Sequence, residues 1–72
     1  MSAMLRKRSF NIAGHKTSVA LEPEFWVVLE SRAAHGQKSL SAFVAEIDAK
    51  RGDHALASAL RLAALAAAKT AS

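Results

Sequence analysis

The stretch Lys16-Thr17-Ser18-Val19-Ala20-Leu21-Glu22-Pro23-Glu24-Phe25-Trp26 decides the fold, because its hydrophobic period changes in the middle. Thr17, Val19 and Leu21 alternate with Lys16, Ser18 and Ala20, a period of two that predicts a half-buried strand. Pro23 ends that strand and opens a helix, where its missing N–H costs nothing. Glu22 and Glu24 flank it, favourable for the positive end of the helix dipole. Phe25, Trp26, Leu29 and Ala33 then recur at helical spacing and give the helix one apolar face.

Downstream, His35-Gly36 closes the first helix, with Gly36 suited to a left-handed position just past its end. Lys38 follows in a short turn, and Ser39 is a good N-cap for a second helix. That helix carries Leu40, Phe43, Val44 and Ile47 at i, i+3, i+4 and i+7. Arg51-Gly52-Asp53 breaks the pattern, and Asp53 is expected to cap a third helix reaching about Lys69. Leu56, Leu60, Ala63 and Ala67 share one face of it, flanked by Leu62 and Leu65.

Upstream, Phe10 and Ile12 show the strand period with the opposite parity, and Gly14 lies between the two runs. A turn or bulge there would reset the faces. The pattern suits a second strand and an ordered arm alike. Residues 1–8 read as a flexible basic arm, residues 9–69 as the folded domain, and residues 70–72 as a disordered tail.

Seventy-two residues make at most one domain, and chains this short bury too little surface to be comfortably stable alone. No cysteine is present, which removes disulfides and the commonest zinc ligands. His15, His35 and His54 lack metal-ligand spacing and are expected at turns or helix ends, so no metal or cofactor is expected. Yet 51% of the residues are hydrophobic, too many for a disordered chain. A short, apolar, cysteine-free chain points to self-association. The longest apolar-rich run, 55–68, is interrupted by Ser58 and Arg61 and is shorter than the roughly 20 residues a spanning helix needs. No apolar stretch follows the basic start as in a signal peptide, so a cytoplasmic, nucleoid-associated protein is expected.

The net charge of +4 is unevenly placed. Arg6, Lys7, Arg8 and Lys16 precede the first acid, Glu22, and the remaining six cations are matched by all six acids. A neutral body with a basic front is the footprint of polyanion binding, because neutralised phosphates release counterions. The competing explanation is a solubilising tail, and the basic tripeptide alone does not decide between them.

A strand needs partners for its backbone groups. Unless residues 10–12 supply them, the same strand of a second chain can do so about a twofold axis. The sequence resembles the ribbon-helix-helix family of bacterial and phage regulators from Lys16 to Ile47. The strand Lys16-Thr17-Ser18-Val19-Ala20-Leu21, the helix opening Glu22-Pro23-Glu24-Phe25-Trp26, the Gly36 turn and Ser39-Leu40-Ser41-Ala42-Phe43-Val44 carry the likeness. The longer run from Arg8-Ser9-Phe10-Asn11-Ile12-Ala13-Gly14-His15 into that strand is similar to an alphaproteobacterial subgroup with a third helical segment.

The resemblance implies a mainly α fold with one short strand per chain, as an intertwined homodimer with an intermolecular two-stranded ribbon. Val19, Leu21, Trp26, Leu29, Phe43, Val44 and Ile47 would form the dimer core. It further implies that Lys16, Ser18 and Ala20 contact bases of double-stranded DNA in the major groove. Lys16 would donate to guanine, Ser18 to several bases, and Ala20 would touch only a thymine methyl. Phosphates would be held by the backbone at Ser39, Leu40 and Ser41, by Lys38, and by the arm residues Arg6, Lys7 and Arg8. Alanine at the third reading position departs from the usual polar residue and weakens the case for strong discrimination.

Each residue also has a plainer explanation. Ser39 caps a helix whether or not it meets phosphate, Lys16 and Ser18 suit a solvated strand face, and Phe25 and Trp26 belong to a core stripe. An enzyme is not expected, since no phosphate loop, cysteine nucleophile or catalytic carboxylate cluster is present. Three functions remain: a regulator acting as a dimer or as paired dimers, an antitoxin whose C-terminal segment folds onto a toxin protein, and a helical interaction module. The apolar composition of 53–69 favours the regulator, because antitoxin tails are often polar.

Overall fold

The computed structural model describes residues 4–70. Its elements are β1 (Arg6–Ile12), β2 (His15–Leu21), α1 (Pro23–His35), α2 (Leu40–Lys50) and α3 (Leu56–Thr70). The two strands form an antiparallel ribbon within one chain, from Arg6 opposite Leu21 to Ile12 opposite His15. The chain therefore has two strands, and β2 takes its partner from β1 of the same molecule. Arg6, Lys7 and Arg8, expected in a flexible arm, are the first three residues of β1. Residues 71 and 72 of the expected tail lie outside the described residues.

The turn explains the reversal of parity. Ala13 and Gly14 both have positive φ, 53° and 81°, the combination of a two-residue type I′ hairpin turn. Its backbone twist matches that of the strands it joins. A two-residue loop pairs each even-numbered residue of β1 with an odd-numbered residue of β2. Phe10 and Ile12 consequently share a face with Val19 and Leu21, and all four are buried against the helices.

The helices enclose one core of Phe10, Ile12, Val19, Leu21, Trp26, Leu29, Val44, Leu60 and Ala64. Leu21, Leu29, Val44 and Leu60 are completely buried, each worth about 1.5–3 kcal/mol of transfer free energy. α3 packs along α1 and also meets α2 and β2, so it closes the core of its own chain. Its buried line runs through Leu60 and Ala64, with Leu56, Ala57 and Ala63 partly covered. Leu62 and Leu65 remain more than half exposed.

Two helix boundaries differ from expectation. Gly36 has φ −87°, and the left-handed residue is Gln37 at φ 57°. The N–H of Lys38 bonds to the Ala33 carbonyl and that of Gln37 to Ala34, both at 3.0 Å. These are the two bonds of a Schellman termination, with Gln37 in the position that glycine usually fills. Asp53 does not cap α3, which begins at Leu56, with the Ala55 carbonyl accepting from Ala59 N–H at 3.0 Å. Residues 51–54 instead make a separate turn. Arg51 ties it down by donating to the Asp48 carboxylate and to the His54 carbonyl, both at 2.6 Å.

Candidate nucleic-acid interface

The ribbon has two chemically distinct faces. Phe10, Ile12, Val19 and Leu21 turn to the helices, while register places Lys7, Ser9 and Asn11 beside Ala20, Ser18 and Lys16 on the other face. All six are exposed except Ala20, which is half-buried. Lys16, Ser18 and Ala20 thus stand in one row on the outward face. The parallel row from β1 has no counterpart in the sequence reading. Its signal was present in the parity change around Ala13-Gly14, which transfers odd residues of β1 to the outward side.

The charge on this element is one-sided. Strands RKRSFNI and HKTSVAL carry four Lys and Arg residues and no acid. Ser9 and Ser18 hydroxyls meet across the strands at 3.0 Å. Among the described residues, Lys7, Asn11 and Lys16 have no side-chain hydrogen bond or ion pair, leaving their donors to solvent.

The basic tripeptide is divided by the pleat. Lys7 faces outward, whereas Arg6 and Arg8 fall on the side that carries the core. Arg8 donates to the Glu30 carboxylate at 2.7 Å and lies 5.4 Å over the Trp26 ring. The Trp26 indole Nε1 donates to the Arg6 carbonyl at 2.8 Å. Arg8 is therefore part of the joint between ribbon and α1, which corrects its expected place in a DNA-following arm.

At the start of α2, Ser39 caps the helix as expected, its hydroxyl accepting from Ala42 N–H at 3.0 Å. The first N–H groups of the helix, at Leu40 and Ser41, have no intrahelical acceptor by geometry. Lys38 is turned toward α2 itself, with Nζ 2.5 Å from the Glu46 carboxylate. That hydrogen bond holds the Glu46 carboxyl below its ordinary range. Glu22, the N-cap of α1, is also lowered, first by its own backbone N–H and then by Arg61 at 3.1 Å. His15 opens β2, His35 ends α1 with Nδ1 2.8 Å from the Ser31 carbonyl, and His54 sits in the α2–α3 turn. No group of three His, Cys, Asp or Glu that would hold a metal occurs among the described residues.

Of the residues expected in a dimer core, Val19, Leu21, Trp26, Leu29 and Val44 are buried within a single chain. Phe43 and Ile47 are partly buried against the same core.

Comparison with protein-family models gives a match over nearly the whole chain. The ribbon-helix-helix domain model matches residues 5–68. The chain belongs to the ribbon-helix-helix family. Ribbon-helix-helix domains are generally DNA-binding regulators and generally dimerise. No curated protein and no solved structure gives a significant match. No helix among the described residues is long and apolar enough to cross a membrane.

Proposed function

We propose that this protein is a transcriptional regulator that binds double-stranded DNA by laying its ribbon in the major groove and acts as a homodimer. The observation that carries the reading is the outward ribbon face, exposed, free of acids and bearing Lys7 and Lys16. A groove about 12 Å wide admits two strands and presents base edges to them. Lys16 donates to guanine O6 or N7, Ser18 bonds bases less selectively, and Ala20 contacts a thymine methyl. The first turn of α2, with Ser39, Leu40 and Ser41, supplies a backbone site for phosphate. Lys38 assists there once it exchanges Glu46 for the phosphate.

The homodimer is supported by the family's general habit and by the apolar surface left on one chain, where Val27, Leu62 and Leu65 are exposed. β1 occupies one edge of β2, and the other edge is left for a strand of the second chain. Regulation is favoured over an antitoxin role by α3, which folds onto its own chain through Leu60 and Ala64.

Duplex binding by the full chain and by Lys16→Ala tests the reading. The intact protein should bind with a log–log salt slope of roughly −0.9 per phosphate neutralised. Lys16→Ala should abolish binding without altering the fold or sedimentation behaviour. Unchanged affinity in that variant would remove the ribbon-readout mechanism.

A further inference from the structure

We propose that the groove between α1 and α3 is a binding site for a small carboxylate carrying an apolar chain, anchored on Arg32. Its walls come from the helices alone, so it exists whether or not the ribbon binds DNA.

The C-terminal half of α1 and the end of α3 enclose about 440 Å³, between Val27 and Val28 on one side and Ala67 and Ala68 on the other. That volume falls at the small end of the range for small-molecule sites, roughly 300–1,000 Å³. The sequence of α3 leaves the space. Leu60 fills the core completely, whereas positions 66–68 are all alanine and cannot reach across to α1. Val27 is 64% exposed, so the apolar wall it forms stands open to solvent. Shape alone would admit any small apolar molecule.

Charge narrows the choice. Arg8, Arg51 and Arg61 each hold a carboxylate, at 2.7, 2.6 and 3.1 Å, while Arg32 holds none among the described residues. A cation in the last turn of a helix offsets the dipole, which gives the charge of Arg32 a structural use. It gives none to the planar fork of N–H donors, which matches a carboxylate bidentately. His35 lines the groove too, but its Nδ1 is spent on the Ser31 carbonyl at 2.8 Å. Arg32 is the anchor.

Arg32 and His35 also line a smaller cleft of about 300 Å³, together with Lys38, Phe43 and Glu46. Lys38 is matched there by Glu46 at 2.5 Å, so one uncompensated formal charge remains, on Arg32. A single charge suits a carboxylate better than a phosphate monoester, which carries roughly −1.5 to −2. The head group thus sits at Arg32, where the two cavities meet, and the chain lies along the valines and alanines. Each methylene it buries should tighten binding by up to about 4-fold.

The test is titration of the full chain with octanoate, acetate and octanol, followed by NMR of the valine and alanine methyl groups. Octanoate should give saturable shifts at Val27, Val28, Ala67 and Ala68. Acetate lacks the chain and octanol the charge, and each should bind about 10-fold more weakly or worse. Arg32→Gln should weaken octanoate by about 10-fold or more at unchanged melting temperature, since its side chain is exposed and unpaired. Ala68→Leu, which fills the groove, should remove binding; if it also lowers the melting temperature, Arg32→Gln alone decides. Unchanged affinity in Arg32→Gln, or equal affinity for octanol and octanoate, would overturn the site. Shifts that spread over the whole surface without saturating would overturn it as well, by making octanoate an adventitious additive only. No shift at all would overturn it in favour of a second copy covering Val27.

Discussion

The indole Nε1 of Trp26 donates a 2.8 Å hydrogen bond to the carbonyl oxygen of Arg6, fastening the first residue of the ribbon to α1. The same ring packs on Phe10 with centroids 5.9 Å apart and has the Arg8 guanidinium 5.4 Å over it. Trp26→Phe keeps much of the apolar contact and removes the donor. Loss of about 1–3 kcal/mol in unfolding free energy is expected, from a hydrogen bond and some ring volume. Urea denaturation measures it, and a change within error would mean the indole acts only as a filler.

Lys7 and Arg8 are adjacent in sequence and opposite in role. Lys7 projects from the acid-free face, while Arg8 is paired with Glu30. Lys7→Ala should reduce the salt slope of duplex binding by roughly 0.9, one phosphate's worth, at unchanged stability. Arg8→Ala should leave the slope alone and lower stability by about 1 kcal/mol, since a half-exposed ion pair and a cation–π contact are each modest. Titrating both variants at several salt concentrations separates the two outcomes. Equal slopes for both variants would mean that the pleat does not sort the cations.

Period and punctuation made most of the fold legible. The alternation in 16–21, the proline at 23 and the helical spacing of Trp26, Leu29 and Ala33 correspond directly to β2 and α1. Ser39 followed by Leu40, Phe43, Val44 and Ile47 did the same for α2. What could not be read was where β2 finds its partner. A strand pairs equally well with its own chain or another, and the two-residue turn at Ala13 gives one edge of β2 to β1. Alanine disguised that turn, because Asn-Gly or Asp-Gly is its usual signature. The site was legible to the same depth. Lys16 and Ser18 needed only the period, whereas placing Asn11 beside Lys16 needed the register. The pairing of Arg8 with Glu30 and of Lys38 with Glu46 joins residues from different parts of the chain, which no local pattern reveals.

Two residues bear left-handed backbone without being glycine, Ala13 at φ 53° and Gln37 at φ 57°. A Cβ in that region costs roughly 1–2 kcal/mol, and glycine or asparagine relieves it at some expense in unfolded-state entropy. Ala13→Asn and Gln37→Gly should each raise stability by about 0.5–1 kcal/mol, additively, since they lie in different turns. Ala13→Asn also produces the preferred hairpin dipeptide and should leave the outward rows in register. A decrease in melting temperature for either variant would show that its side chain contributes more than its backbone strain costs.

Acid should weaken the joint between α1 and α3. The carboxyl of Glu22 is held below its ordinary value of 4.5, first by its own backbone N–H and then by Arg61, which also lies 5.9 Å over the Phe25 ring. A carboxyl whose folded pKa is depressed favours the folded state at pH above its unfolded value. That contribution is lost as pH falls through the folded pKa. Glu46, lowered by Lys38, acts in the same direction in the middle of α2. Melting temperature should therefore fall as pH is taken from about 6 to about 3, and Glu22→Gln should make that fall shallower. Arg61→Met should do likewise only in part, because the larger cause at Glu22 is its own backbone N–H and survives the change. An identical acid profile in Glu22→Gln would place the pH sensitivity elsewhere in the chain.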